Sequence, residues 1–396
     1  MILGCGIAGL TAAETLRSLQ KDAQITVIGK EPLPAYNRTM LSKTLFRTFR
    51  SEPLLIRDDA WYRAQQIELI TGKEASLIDR RDHRVYLGDG SSVIYDKLIY
   101  TLGARPFMPS GAALPDGVLT LRTDTSVKSI HRFASVAQNA VVIGAGVIGM
   151  ELAWELKKYC GHVTVIEAAP RLMSRQLDEE AASFMADRLQ EAGITLYTGC
   201  TADSYQANEF GRLTGVCLST GKTVPAEVAV LCAGAVPNRR LAGEAGLACG
   251  RGVQVDSCLQ TSDPDIFAAG DCIEAPWPNP QLWTHAIETA KLAAENACAK
   301  GALKAFAPRS FDVVLNTMGT ALFSCGTVAG EGVSGRRMEP ALPADTFRVN
   351  PRQSQQAFEK RFYQDGTLCG AILIGDLTRM GEIKRQLSGK ENRTHA

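Results

Sequence analysis

Two short glycine-rich turns carry the clearest chemistry in this chain. Gly4-Cys5-Gly6-Ile7-Ala8-Gly9 and Gly144-Ala145-Gly146-Val147-Ile148-Gly149 share one spacing, and each follows an apolar run and precedes a helical pattern. The first glycine of such a turn permits a tight reversal, the second lets backbone approach a diphosphate, and the third packs helix on strand. A diphosphate then sits on the helix N-terminus, where unpaired N–H groups and the helix dipole favour negative charge. A single copy is a weak signal. Two copies in phase point to two dinucleotides on one polypeptide, and so to electrons passing between them.

An acidic residue at the end of the second strand of such a unit reads the ribose. In the second unit this is Glu167, 18 residues (167 minus 149) beyond Gly149. A carboxylate there accepts from both ribose hydroxyls and repels a 2′-phosphate, so NADH is expected rather than NADPH. Arg171 nearby works against that preference. In the first unit the strand ends in Gly29-Lys30-Glu31, and Glu31 is the ribose candidate.

The elements that must position these residues follow from periodicity and turn residues. The first unit reads as strand 1–3, helix 10–19 and strand 25–28. Only three residues precede Gly4, short for a strand, so a trimmed start is expected. A strand-rich stretch from 67 to 100, with a turn at Asp89-Gly90, runs into a crossover at Thr101-Leu102-Gly103-Ala104-Arg105-Pro106. The second unit reads as strand 140–143, helix 149–159, strand 163–167 and helix 178–192. It leaves through Cys232-Ala233-Gly234-Ala235-Val236-Pro237-Asn238. Strand and turn from 253 to 270 end at Gly270-Asp271, and a Pro-rich loop, 276–280, leads into a helix over 283–300. The remainder is mixed strand and helix, with a hairpin turn at Asp365-Gly366 and a last helix over 380–387.

Composition narrows the class. The 396 residues are 45% hydrophobic and 21% charged with net charge +1, which gives no case for nucleic acid or an acidic membrane surface. No apolar run approaches the ~18 residues that span a bilayer, and no basic-then-apolar leader opens the sequence. The 11 cysteines form neither C-x-x-C nor C-x-x-x-x-C. Dispersed thiols of this kind suit a reduced, cytoplasmic protein and offer no metal or iron–sulfur site. The histidines likewise show no metal-ligand spacing.

Taken together, the residues resemble the FAD-dependent pyridine nucleotide–disulfide oxidoreductase superfamily. The branch they are most similar to is that of the NADH:rubredoxin and ferredoxin reductases, which also resembles the N-terminal part of nitrite reductase large subunits. The resemblance rests on both glycine turns, Tyr36-Asn37-Arg38 with Leu41-Ser42-Lys43, the crossovers at Gly103 and Gly234, Thr261-Ser262 through Gly270-Asp271, and Gly370-Ala371-Ile372-Leu373-Ile374-Gly375-Asp376. Thr101-Leu102-Gly103 departs from the usual Ala-Thr-Gly. The implied fold is α/β, with two Rossmann-like domains, one inserted in the other, and a C-terminal α/β domain that often serves dimerisation. The implied limits are 1–108 and 237–304 for FAD, 109–236 for NAD(P)H and 305–396 for the last domain.

The same resemblance assigns the cofactors. FAD would lie on Gly4, Gly6, Ile7, Ala8 and Gly9, with Glu31, Arg38, Lys43, Gly103 and Arg105 around it. Asp271 would bond its ribitol chain, and Gly270 would permit the close approach. NADH would lie on Gly144, Gly146, Val147, Ile148 and Gly149, with Glu167 and Gly234. Glu151 would stand at the nicotinamide–flavin junction. Lys43, Glu151 and Trp283 are the catalytic candidates: Lys43 to stabilise negative charge on the reduced flavin, Trp283 to cover the ring or line an exit path. His285 lies two residues past Trp283 and receives no proton-transfer role.

Disulfide reductases of this superfamily carry C-x-x-x-x-C beside the flavin, and its oxidases and peroxidases a single cysteine. Here the corresponding segment, Arg38-Thr39-Met40-Leu41-Ser42-Lys43, has none. Electrons would therefore leave the flavin directly. The leading expectation is an oxidoreductase that passes single electrons to a small acidic redox protein of rubredoxin or ferredoxin type. Arg38, Lys43, Arg47 and Arg50, with no acid among them, would steer such a partner. Two rival readings remain open: a flavin enzyme reducing oxygen, quinone or nitrite through a partner subunit, and an FAD-binding redox sensor or scaffold in a larger complex. A homodimer is compatible with each.

Overall fold

Ile2-Leu3, Ile25–Ile28 and Leu98–Tyr100 are continuous apolar runs, the pattern of strands buried on both faces of a parallel sheet. A computed structural model describes residues 1–44, 54–109, 113–308, 312–338 and 357–388, and it places these runs side by side. The first sheet has five parallel strands in the order 266–268, 98–100, 2–3, 25–28 and 67–70. The second has five parallel strands in the order 194–198, 162–167, 139–143, 228–231 and 118–120. Strand 266–268 follows the whole second sheet in sequence yet completes the first, so the second unit is inserted into the first. The chain enters and leaves the insertion side by side, because Ala104–Pro106 and Ala235–Pro237 pair as an antiparallel ribbon.

The fold is thus α/β with two Rossmann-like units and a C-terminal part. That part is a five-stranded antiparallel sheet in the order 313–317, 320–326, 367–374, 358–364 and 333–338. The expected Asp365-Gly366 hairpin turn is present, with φ of 49° and 76°. One sheet face is covered by helix Met380–Leu387 through Phe323, Leu373 and Ile383. The opposite face joins the core of the second unit, where Leu315, Leu322 and Ile372 lie in one apolar cluster with Met150 and Met185. Among the described residues, no helix is long and apolar enough to cross a membrane.

The structure differs from the sequence expectation in several places, among them the short helices Asp59–Ala64 and Arg240–Glu244. Both glycine turns run straight into helix, Ile7–Leu19 and Val147–Lys157, with Gly6 and Gly146 as N-caps, so these helices start earlier than read. The helix at 283 ends at Ala297 rather than 300. Strand Val118–Thr120 and helix Asp124–Ala134 were not anticipated. That helix opens on a reciprocal capping box between Thr123 and Ser126, which lacks the glutamate or glutamine that makes the signal easy to see.

Gly4 and Gly9 show why the turn demands glycine. Gly4 has φ +114°, and a Cβ there would strike the Thr101 carbonyl, while a Cβ on Gly9 would strike the Gly4 carbonyl. Gly4→Ala is therefore expected to cost about 1–3 kcal/mol from backbone strain alone, with the Thr101 clash added. A urea-unfolding midpoint equal to that of the unaltered chain would disprove this account of the turn.

Candidate functional site

Both helices that follow the glycine turns begin with bare backbone. No side chain caps Gly6 or Gly146, and no acid stands in either first turn. A Cβ added to Gly6 or to Gly146 would meet nothing within 4 Å. Each helix N-terminus therefore presents uncapped N–H groups to open ground, a cradle that fits a diphosphate, although in the second turn the Ala145 N–H is taken by Glu167.

Residues far apart in sequence gather at the first turn. Gly270, at φ +82°, is so close to the first helix that a Cβ on it would lie 3.2 Å from the Ala8 side chain. This seats Asp271 beside the turn, where its carboxylate accepts from Arg122 Nη2 at 2.8 Å. Arg122 also borders Gly103, since a Cβ on Gly103 would come 3.6 Å from Arg122 Nη2. Sequence reasoning missed Arg122. Its one signal was indirect: a cation just beyond the end of a parallel strand, where α/β sheets bind ligands.

Arg38 joins this group. Its Nη1 donates to Tyr36 Oη at 2.8 Å and to the Arg122 carbonyl at 2.9 Å, and its other arm pairs with Glu31. The Tyr36 hydroxyl donates to Glu31 at 2.6 Å. The carboxylate of Glu31, the expected ribose reader of the first unit, is held by Arg38 and Tyr36. Burial raises the Tyr36 phenol well above its ordinary range, so it remains a donor.

In the second unit Glu167 folds onto the glycine turn. Its two carboxylate oxygens accept from the N–H of Ala145 at 2.6 Å and of Ala169 at 2.8 Å. Arg171 is turned away toward its own loop and donates to the carbonyls of Leu177 at 3.2 Å and Ser174 at 3.4 Å. These bonds hold Arg171 on its own loop.

The two units meet at Glu151. This residue lies early in helix Val147–Lys157, and its side chain is only 7% exposed. Ser42 donates a hydrogen bond to one carboxylate oxygen, and Lys43 Nζ stands 3.1 Å from the other. Burial pushes the Glu151 carboxyl up, and the Ser42 and Lys43 contacts only partly offset it. The group is readier to hold a proton than an exposed glutamate.

The remaining candidates are more scattered. Trp283 opens its helix and is half-buried. It is Trp277 that contacts His285, with Nε1 3.4 Å from Nε2, while Phe306 stacks on Trp277 and meets His285 edge-on. Arg105 is exposed on the crossover ribbon, and Gly234 beside it has φ +97° with open space where a Cβ would be. Ile148 is 49% exposed at the second turn. Arg47, Arg50 and His395 lie outside the described residues.

Residues 1–290 match the family model described as pyridine nucleotide-disulphide oxidoreductase. The chain belongs to this family. Among curated relatives, the ferredoxin–NAD(+) reductase component of the biphenyl dioxygenase system of Paraburkholderia xenovorans is 34% identical over 290 residues, 73% of this chain and 70% of the relative. Among solved structures, the ferredoxin reductase for the CYP199A2 system from Rhodopseudomonas palustris superposes with a TM-score of 0.85 at 29% identity, over 97% of this chain and 93% of that one. The covalent putidaredoxin reductase–putidaredoxin complex gives 0.84 at 26% identity, over 99% and 92%.

The site also sets a pH limit on this oxidoreductase. His285 is 0% exposed, and burial, opposed by Asp271, lowers its pKa to about 4. Between roughly pH 6.5, the unfolded value, and about 4, the unfolded chain takes up a proton that the folded chain refuses. Stability is complete above this window and declines as pH falls through it, by up to roughly 3 kcal/mol. His285→Phe should flatten that decline. Parallel urea titrations at pH 7 and pH 4.5 check it, and an equal loss in both proteins would refute it.

Proposed function

We propose that this family member takes hydride from NADH onto FAD and passes electrons singly to a small redox protein of ferredoxin or rubredoxin type. The observation that carries the reading is the contact of Ser42 and Lys43, from the first unit, with Glu151, from the second. The reactive ends of two dinucleotides, each anchored by its diphosphate on a glycine turn, would converge there. When bound, FAD supplies a two-electron acceptor that can release electrons one at a time.

Gly4, Gly6 and Gly9 hold the FAD diphosphate, with Arg38 and Arg122 along it, and Asp271 accepts from the ribitol hydroxyls. Gly144, Gly146 and Gly149 hold the NADH diphosphate, and Glu167 accepts from the ribose. Lys43 places positive charge at the junction, and Glu151, whose carboxyl is pushed up by burial, orients Lys43. The domain limits 1–108, 109–236, 237–304 and 305–396 follow the same division, and a cytoplasmic location suits the cysteine pattern.

The route outward is supported by the thiols. Segment 38–43 contributes a hydroxyl and an ammonium but no cysteine. The three cysteines nearest the proposed sites are buried in ways that keep them protonated: Cys5 is pushed up to about 11, and Cys232 and Cys272 to about 12. At neutral pH these are inert thiols, not nucleophilic thiolates. An external acceptor is the remaining exit, and the relatives named above pair with ferredoxin or putidaredoxin.

Stopped-flow mixing of the FAD-loaded protein with NADH is expected to bleach the flavin stoichiometrically. Added ferredoxin or rubredoxin should reoxidise it faster than oxygen or menadione does. Sluggish bleaching with a long-lived charge-transfer band would instead favour a sensor or scaffold. Glu167→Ala should raise KM for NADH about tenfold, a loss of about 1.4 kcal/mol, with FAD occupancy unchanged. An unaltered KM would remove Glu167 as the ribose reader.

A further inference from the structure

The C-terminal sheet reaches the helix that carries Glu151. Thr317, 1% exposed at the end of strand Val313–Thr317, donates its hydroxyl to the Met150 carbonyl at 3.0 Å. That carbonyl and the N–H of Glu151 belong to one planar peptide unit. The hydroxyl therefore holds the plane from which the Glu151 side chain departs, in addition to the bond the carbonyl makes within its helix. The hairpin that presents Thr317 is itself fixed. Met318 and Gly319, at φ 53° and 67°, close it tightly. Ser324 on its second strand donates to the Gln176 carbonyl at 2.6 Å. Leu315 and Leu322 pack in the same cluster as Met150, Tyr36 and Leu41.

We propose that Thr317 is a positioning residue: its hydroxyl clamps the Met150–Glu151 peptide so that the Glu151 carboxylate stays between Ser42 and Lys43. This rests on the reading of Glu151 as the junction group. The charged groups acting on Glu151 are Lys43, from segment 38–43, and Glu155 on its own helix. Strand 313–317 brings no titratable side chain. Of the strands on the helix's other flank, 139–143 and 194–198 bring only Tyr197, whose hydroxyl meets Lys222, and 162–167 brings exposed His162 and Glu167, which bonds Ala145 and Ala169. The clamp thus acts through geometry alone. Without it, Glu151 stays buried but loses part of its contact with Ser42 and Lys43, the two contacts that favour its charged form.

The test is a titration without turnover. Oxidised, FAD-loaded protein carrying ¹³C-labelled glutamate side chains is titrated by NMR, the Glu151 signal being assigned by its loss in Glu151→Gln. Thr317→Val should raise the Glu151 midpoint by about one pH unit, and Thr317→Ser, which keeps the hydroxyl, should restore it. Flavin reduction by NADH in Thr317→Val should slow several-fold with KM for NADH unchanged, and its pH profile should shift with the midpoint. An unmoved or lowered midpoint in Thr317→Val overturns the proposal. So does an equal rise in Leu315→Ala, which loosens the hairpin but keeps the hydroxyl. If Thr317→Val does not fold, Thr317→Cys, with a weak donor of similar size, takes its place under the same outcomes. The midpoint is read without NADH or an electron acceptor, so failure of the clamp and failure of the electron route are separable results.

Discussion

A buried carboxylate met from both sides organises this protein. Glu151 belongs to the inserted unit, while Ser42 and Lys43 belong to the first. An isolated charge at that depth costs several kcal/mol, and the cost is offset only where partners complete its hydrogen bonds. Segment 36–43 must therefore lie across helix Val147–Lys157. Apolar burial pulls the same way, because Tyr36 and Leu41 pack in the core of the second unit and not in that of the first. Charge fixes the direction of the contact, and apolar area supplies most of its strength.

The C-terminal sheet extends that logic. Its inner face shares the same core, and among the described residues its polar fastenings land on the inserted unit. Lys360 meets Asp178 at 2.6 Å and Glu180 at 2.8 Å, and Arg337 meets Glu180 at 2.6 Å. Lys360 and Asp178 are mostly buried, so their pairing is worth more than the usual surface ion pair. Thr317 and Ser324 instead contact main-chain carbonyls. Main-chain contacts constrain geometry more tightly than contacts between flexible charged tips, and Thr317 makes one in the residue directly before Glu151.

The fold was largely legible because parallel sheets announce themselves. Continuous apolar runs, glycine turns and a repeated strand–helix–strand unit leave few topologies. Glu151, Lys43 and Asp271 were singled out by their offsets from motifs, and the structure brings Lys43 to Glu151 and Asp271 to Arg122. Arg122 was not, because strand Val118–Thr120 has only 3 residues and the capping box that opens helix Asp124–Ala134 uses Ser126 in place of a glutamate or glutamine. Trp277 was hidden for a different reason. Its partners His285 and Phe306 come together only when the Pro-rich loop folds over the start of helix Trp283–Ala297, and no local pattern encodes that contact. The pairing of Glu31 with Arg38 and Tyr36 was not readable, because it depends on a loop closing back over the strand end.

Three cations in this region each face an acid: Arg38 with Glu31, Arg122 with Asp271 and Lys43 with Glu151. Paired in this way, the side chains are held in place before any anion arrives, and less conformational entropy is lost on binding. The choice of arginine at two of the three follows from geometry. Arg38 reaches a phenol oxygen, a main-chain carbonyl and a carboxylate at once, which needs a planar fork with several donors. Because the carbonyl it holds is that of Arg122, Arg38 couples to the main chain from which the Arg122 side chain departs. A lysine would keep the charge at position 38 and lose that coupling. At position 43 a compact ammonium suffices, because the demand there is one strong charge beside Glu151 and not a bridge among several acceptors.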